Sequence, residues 1–188
     1  MSNAIAGSAA SEWRAHWPIV LAAAAGYGVA SIVSYSSSLF IEPLQGEFGW
    51  SRAQIMSGHS IASIAGAIFA PFTGMAVDRF GPRRLGIFAI IAMCLATALF
   101  GLAGPDITMW RALWVPASFA IVLVQPSVWT AAVTSVFSAG RGFALAVMLC
   151  GGSLASIITP QVTNFLIEGY GWRMAFAGLG AGWAVLAL

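Results

Sequence analysis

Asp78, Arg79, Arg83 and Arg84 all fall within residues 74–84 (Gly-Met-Ala-Val-Asp-Arg-Phe-Gly-Pro-Arg-Arg), a short run holding four of the chain's fourteen charged side chains. A carboxylate beside guanidinium groups makes and breaks charge-assisted hydrogen bonds, which is the chemistry of a latch rather than of bond cleavage. The other candidates are mostly uncharged. Tyr27, Ser31, Ser34, Tyr35 and Ser38 recur at i, i+4, i+7, i+8 and i+11, the spacing of one helical face. His59 stands inside an apolar stretch and can exchange a proton near neutral pH. Gln125 and Trp129 form an i, i+4 pair, and Ser153, Gln161 and Asn164 follow in a later apolar stretch. Such amides bind a carboxylate or stitch helices together. Cys94 and Cys150 lie in apolar surroundings without metal-ligand or disulfide spacing, so they read as small hydrophobes. No metal or cofactor is implied.

The elements that position these residues follow from composition. The chain has 188 residues, 60% hydrophobic and 7% charged, with a mean hydropathy of +0.88. Soluble domains carry about 25% charged residues, so this chain belongs in a lipid bilayer. Its net charge of +2 and lack of a basic stripe exclude a nucleic-acid partner. Crossing a hydrocarbon core of about 30 Å takes about 20 apolar residues per helix. The expected helices are 17–40, 53–76, 85–104, 109–136, 143–167 and 174–188, behind a cytoplasmic tail at 1–16. The first is too long for a signal-peptide core and reads as a retained span. The last is still apolar at Leu188 and short of a full crossing, so the chain is read as ending inside its sixth helix, as a piece of something larger.

Arginine concentrates on the cytoplasmic face of membrane proteins. Placing the 77–84 loop inside puts Arg14, Arg79, Arg83, Arg84 and Arg141 on that face, against Arg52, Arg111 and Arg173 outside. The N-terminus is therefore expected in the cytoplasm, with the chain multi-pass in a bacterial inner membrane. Trp13, Trp17, Trp50, Trp110 and Trp172 sit at span ends, where amphipathic rings settle.

One internal repeat stands out. Asp78-Arg79-Phe80-Gly81-Pro82-Arg83 and Glu168-Gly169-Tyr170-Gly171-Trp172-Arg173 both read acid, any, aromatic, Gly, any, Arg. Each follows a span containing a proline, Pro71 or Pro160. Three spans separate the two loops, so they face opposite sides of the membrane, as in an inverted three-plus-three repeat. Gly81 suits a left-handed helix stop and Pro82 the first turn of the next helix. Asp78 opposes the dipole at its helix C-terminus and calls for a cationic partner or another helix's N-terminus.

Gly74, Asp78, Arg79, Gly81, Arg83 and Arg84 resemble the loop between helices 2 and 3 of the major facilitator superfamily, although Pro82 stands where Arg is common. The resemblance implies an all-α membrane fold, of which this chain is the six-helix N-terminal half, and a secondary transporter. It also implies that Asp78, Arg79 and Arg83 contact the opposite six-helix half to hold the cytoplasmic side shut. Phe48-Gly49-Trp50-Ser51-Arg52 and Gly169-Tyr170-Gly171-Trp172-Arg173 resemble the monocarboxylate and oxalate–formate branches, as do Phe137, Arg141, Ala144 and Gly151. Gly140, Phe143, Ala146 and Met148 depart from that pattern, and Arg14-Ala15-His16-Trp17 replaces the acidic Gly-Gly-Trp opening of animal carriers. The helix-5 antiporter motif of drug exporters is not reproduced around Gly151-Gly152-Ser153.

The resemblance implies carriage of small organic acids, coupled to an ion or to exchange. A drug or neutral-solute carrier of the same superfamily and an inactive truncated fragment are the alternatives. An intramembrane serine protease is disfavoured, because Gly151-Gly152-Ser153-Leu154-Ala155 is a poor nucleophile setting. The expected partners are the bilayer, a small-molecule substrate and a second six-helix half. Tyr27, Ser31, Ser34, Tyr35, His59, Gln125, Trp129 and Asn164 are the candidates for a substrate cavity. The hydroxyl face of span 1 either lines that cavity or packs against a neighbour. His59 either handles a proton or substrate, or reaches headgroup water from the outer end of span 2. Arg111 lies at the outer end of span 4 and no cation lies deeper, so the counter-charge for an anion is expected from the other half.

Overall fold

The computed structural model describes residues 2–187, with side chains from residue 9 onward; Met1 of the expected tail and Leu188 of the expected sixth helix lie outside the described residues. All regular structure among these residues is helical. The elements are α1 (Ser2–Val29), α2 (Ser31–Ser36), a 3₁₀ turn (Ser37–Phe40), α3 (Ile41–Phe48), α4 (Arg52–Phe80), α5 (Pro82–Leu99), α6 (Ile107–Leu123), α7 (Pro126–Thr134) and α8 (Arg141–Ala187). Five helical stretches are long and apolar enough to cross a membrane: Ala9–Phe48, Arg52–Phe80, Pro82–Leu102, Ile107–Thr134 and Arg141–Ala187.

The last of these is bent back on itself at Gly171, whose φ of 80° and ψ of 162° are not helical. Leu166 packs against Gly178, residues that a straight helix would hold about 18 Å apart. Ala155 and Trp183 both meet Gly28. The limb after Gly171 therefore returns beside the limb before it, and the chain makes six passes.

The backbone at Gly81 matches that at Gly171. Its φ is 79° and ψ is 149°, a region open to glycine and closed to residues with a Cβ. Pro82 then opens α5 at its first position, where its fixed φ suits a helix start. The charged loop expected over 77–84 thus narrows to Gly81 alone, with α4 and α5 taking up its flanks. The two halves of the sequence repeat adopt the same break, three passes apart.

Other boundaries follow local chemistry. Ser51 caps α4 in a reciprocal box with Gln54, and the Asp106 side chain caps α6 by accepting the Thr108 N–H. The first helix starts at Ser2, well ahead of Trp17, so the segment read as a tail is helical. The first pass is interrupted at Ala30 and again by the 3₁₀ turn at Ser37–Phe40. The fourth, expected as one helix over 109–136, is two: α6 stops at Leu123 and α7 starts at Pro126. Proline cannot donate to the ladder and drives the preceding Gln125 (ψ 153°) out of the helical region.

Packing closes the bundle at both ends. At one end Phe40 stacks on Phe176 with centroids 3.8 Å apart, and Phe100, Trp110, Trp114 and Trp172 surround them. Each such aromatic pair adds about 0.5–1.5 kcal/mol beyond its buried area. Trp50 Nε1–H donates to Pro105 O, while Arg173 Nη1–H and Trp172 Nε1–H both donate to Glu47 at 2.6 Å. At the other end Glu12 accepts the N–H groups of Ser138, Ala139 and Gly140 and the Ser138 hydroxyl. Trp13 packs on Phe137 and Phe143 beside it. Between these ends α1 and α8 touch through small residues: a Cβ on Gly151 would lie 2.5 Å from the Ala24 carbonyl oxygen.

Candidate functional site

The interruption between α6 and α7 opens the site. It lies close to the middle of the fourth pass and faces the middle of the first and fifth. Tyr27, Ala30, Ser31, Ser34 and Tyr35 from α1 and α2, Ile121, Gln125 and Pro126 from the break, and Leu149, Gly152, Ser153 and Ser156 from α8 line a cavity of about 370 Å³. The hydroxyl stripe of the first pass is therefore a cavity wall over Tyr27, Ser31, Ser34 and Tyr35. Ser38 is not part of that wall.

Hydrogen bonding divides the lining into two groups. Ser31 Oγ–H donates to Gly28 O at 2.6 Å and its oxygen lies 3.0 Å from Thr159 Oγ1, joining the first pass to the fifth. Ser34 donates to Ala30 O and Ser156 to Ser153 O, so both hydroxyls are spent on their own helices. Among the described residues the side chains of Tyr27, Tyr35, Gln125 and Ser153 have no hydrogen-bond partner. Two phenols, an amide and a hydroxyl thus remain available to a ligand. The N-terminus of α7 opens at the same place, and a helix start carries partial positive charge and free N–H groups. The wall is therefore donor-rich without a formal charge.

The remaining candidates fall elsewhere. Trp129 is 6% exposed, and its Nε1–H donates to Val124 O at 3.1 Å, capping a carbonyl freed by the break. It separates from Gln125 because Pro126 resets the helical phase between them. Asn164 Nδ2–H donates to Glu168 Oε1 one turn away, on an exposed surface. His59 meets the first pass on a different side: Nε2 lies 3.0 Å from Ser37 Oγ, and its ring stands at 85° to Trp114, 4.6 Å centroid to centroid. Arg111 Nε–H donates to Ser57 Oγ at 3.1 Å, away from the cavity.

Gly74, Asp78, Arg79, Arg83 and Arg84 are exposed, with Gly81 half-buried between them. Among the described residues none of these charges is in an ion pair; Arg79 lies over Phe80, 5.6 Å from the ring centroid. Asp78 and Arg79 line an open depression with Met75, Ala76 and Phe80. Ile121, Gly152 and Ser156 are cavity residues that pattern reading did not single out. Ser156 follows Ser153 at i+3, a face the sequence could have revealed.

The family model described as Major Facilitator Superfamily matches residues 19–188. The chain belongs to that superfamily. It is 28% identical over 168 residues to a protein of Cupriavidus necator named "Probable sulfoacetate transporter SauU", covering 85% of this chain and 38% of the relative. It is 26% identical over 194 residues to the rice protein named "Probable anion transporter 4, chloroplastic", covering 93% and 30%. Against the Escherichia coli "Multidrug resistance protein MdtG" it is 28% identical over 149 residues, covering 78% and 36%. The chain thus spans roughly a third of the length of these relatives. No solved structure matches it significantly.

Proposed function

We propose that this chain forms the N-terminal part of a secondary transporter that moves small organic acids by alternating access, coupled to an ion or to exchange. The observation that carries the reading is the discontinuous fourth pass: a half-helix N-terminus near the middle of that pass, beside four polar side chains with free hydrogen-bonding capacity. Transporters of this architecture place half-helix starts against anionic groups. A carboxylate or sulfonate would accept from Tyr27, Tyr35, Ser153 and the Gln125 amide, with its full counter-charge coming from a second six-helix half. The names of two relatives, for sulfoacetate and for anions, support this class. The unpaired Asp78, Arg79, Arg83 and Arg84 then dock against that second half as the cytoplasmic latch. The N-terminus and Gly81 face the cytoplasm of a bacterial cell.

A drug-carrier reading draws on the formally uncharged wall and on the multidrug relative. One experiment separates the two. The full-length protein in proteoliposomes is tested for saturable uptake of lactate, pyruvate, oxalate, formate and sulfoacetate, and for efflux of ethidium. We expect uptake of at least one acid, with Gln125→Leu and Tyr27→Phe raising its KM. Ethidium efflux without acid uptake would overturn the organic-acid reading.

A further inference from the structure

His59 lies on the opposite side of the first pass from the cavity wall, yet the two are joined through seven residues. Ser31, Ser34 and Tyr35 line the cavity, and Ser37, two residues on, meets His59 Nε2 at 3.0 Å. Ser37 opens the 3₁₀ turn at which the first pass changes its winding. A neutral imidazole either accepts the Ser37 hydrogen or donates its own; an imidazolium can only donate. Gaining a proton at His59 therefore fixes the direction of this bond and sends the Ser37 hydroxyl hydrogen to another acceptor, at a place where the helix already departs from regular geometry.

His59 is half-buried, with the Trp114 ring 4.6 Å away, centroid to centroid, at 85° to it. A small, mainly apolar space of about 20 Å³, lined by Ile32, Val33, Phe40, Ile55 and Phe100 among others, adjoins Ser37. The charged and titratable groups around His59 are few. Arg111 is the only one on α6, and it reaches Ser57, two residues from His59. The first pass offers only Tyr27 and Tyr35 between Trp17 and Ile41, and α4 offers no other between Ala53 and Val77.

We propose that His59, read out through Ser37, is the proton-binding site that couples proton movement to the substrate cavity. This rests on the transporter reading and adds the identity of the coupling ion. A proton arriving from the outer face converts imidazole to imidazolium. The change is passed along residues 31–37 to Ser31, Ser34 and Tyr35, and release of the proton to the cytoplasmic side, once the transporter opens inward, reverses it.

The test uses the full-length protein in lipid nanodiscs and proteoliposomes. His16→Gln leaves His59 as the sole described histidine of this segment, and ring nitrogen shifts are followed between about pH 5 and 8, the range in which imidazole ordinarily titrates. We expect His59 to titrate in that window and Ser37→Ala to change the midpoint. In proteoliposomes His59→Gln should retain exchange of labelled for unlabelled acid but lose accumulation driven by a proton gradient, with the final concentration ratio falling to one. A folded His59→Gln protein, shown by retained exchange, that still accumulates acid under a proton gradient would overturn the proposal. So would a His59 ring that stays in one state throughout the window. If no organic acid is exchanged by the unsubstituted protein, the substrate reading fails on that result alone, while the ring titration still decides the proton site.

Discussion

Replacing Gly26 by Ala places a methyl carbon 2.2 Å from Cη2 of Trp129 and within 2.6 Å of two further ring atoms. The ring has little freedom to withdraw. Its Nε1–H is held by Val124 O, and on another side Gly86 leaves only 3.0 Å between an added Cβ and Cζ3. Overpacking of a filled site costs about 1–3 kcal/mol. Gly→Ala inside a helix recovers about 1 kcal/mol of propensity. With a rigid indole the upper part of the overpacking range applies, so the net loss is about 1–2 kcal/mol. That corresponds to a fall in Tm of roughly 2–8 °C for an unfolding unit of 150–250 residues, and a smaller one where the full-length protein unfolds as a single unit. The assay is thermal unfolding of the full-length protein in detergent. Gly182→Ala is the control, because a Cβ there meets nothing within 4 Å, and its Tm should hold or rise. Trp129→Phe supplies the second arm. Alone it destabilises, leaving Val124 O unpaired; combined with Gly26→Ala it should be no worse than alone, a coupling of about 1 kcal/mol or more. If Gly26→Ala behaves like Gly182→Ala, or if the two changes add, Trp129 is not the rigid plug described.

Gly81→Ala and Gly171→Ala should destabilise similarly, by about 1–3 kcal/mol each, because both force a Cβ into the same glycine-only backbone region; unequal losses in thermal unfolding would break the structural equivalence of the two turns. The Asp106 carboxyl is held below the usual carboxylate range by the Thr108 hydroxyl and N–H. Its folded value is thus below its unfolded one, so its contribution is present above the ordinary carboxylate range and fades as pH falls through the lowered value. Asp106→Ala should accordingly flatten the acid side of a Tm–pH profile, and an unchanged profile would refute the cap. With Cys94 and Cys150 replaced by Ala, Arg83→Cys should react with a membrane-impermeant maleimide only in opened cells; labelling of intact cells would invert the assigned sidedness.

The features that sequence made legible are those written in short-range chemistry. Gly81-Pro82 and Gly171 announce their breaks because few residues tolerate that backbone, and the i, i+4, i+7, i+8 hydroxyls survive as one wall because α2 continues the phase of α1 closely enough. The family follows from the run around Asp78, and the matched family model agrees. Trp129 was misleading for a physical reason: helical spacing from Gln125 holds only if the helix is unbroken, and Pro126 breaks it. Asn164 has a local partner in Glu168, which no periodicity argument weighs against a cavity. The extension of the first helix back to Ser2 was hidden because its anchoring contacts lie 126–128 residues away, at Ser138–Gly140. The interruption at Ala30 and the 3₁₀ turn at Ser37 carry no proline or glycine of their own and lie among serines that bond back to carbonyls of their own helix, Ser31 to Gly28, Ser34 to Ala30 and Ser36 to Ile32, a pattern that bends helices.

That distant anchor has a consequence for biosynthesis. The carboxylate of Glu12 leaves the ribosome well before the three amides it will hold, and at about 5–20 residues per second the wait is roughly 6–25 s. Throughout that interval the first helix lacks this tether, which can form only once residues 138–140 have been made.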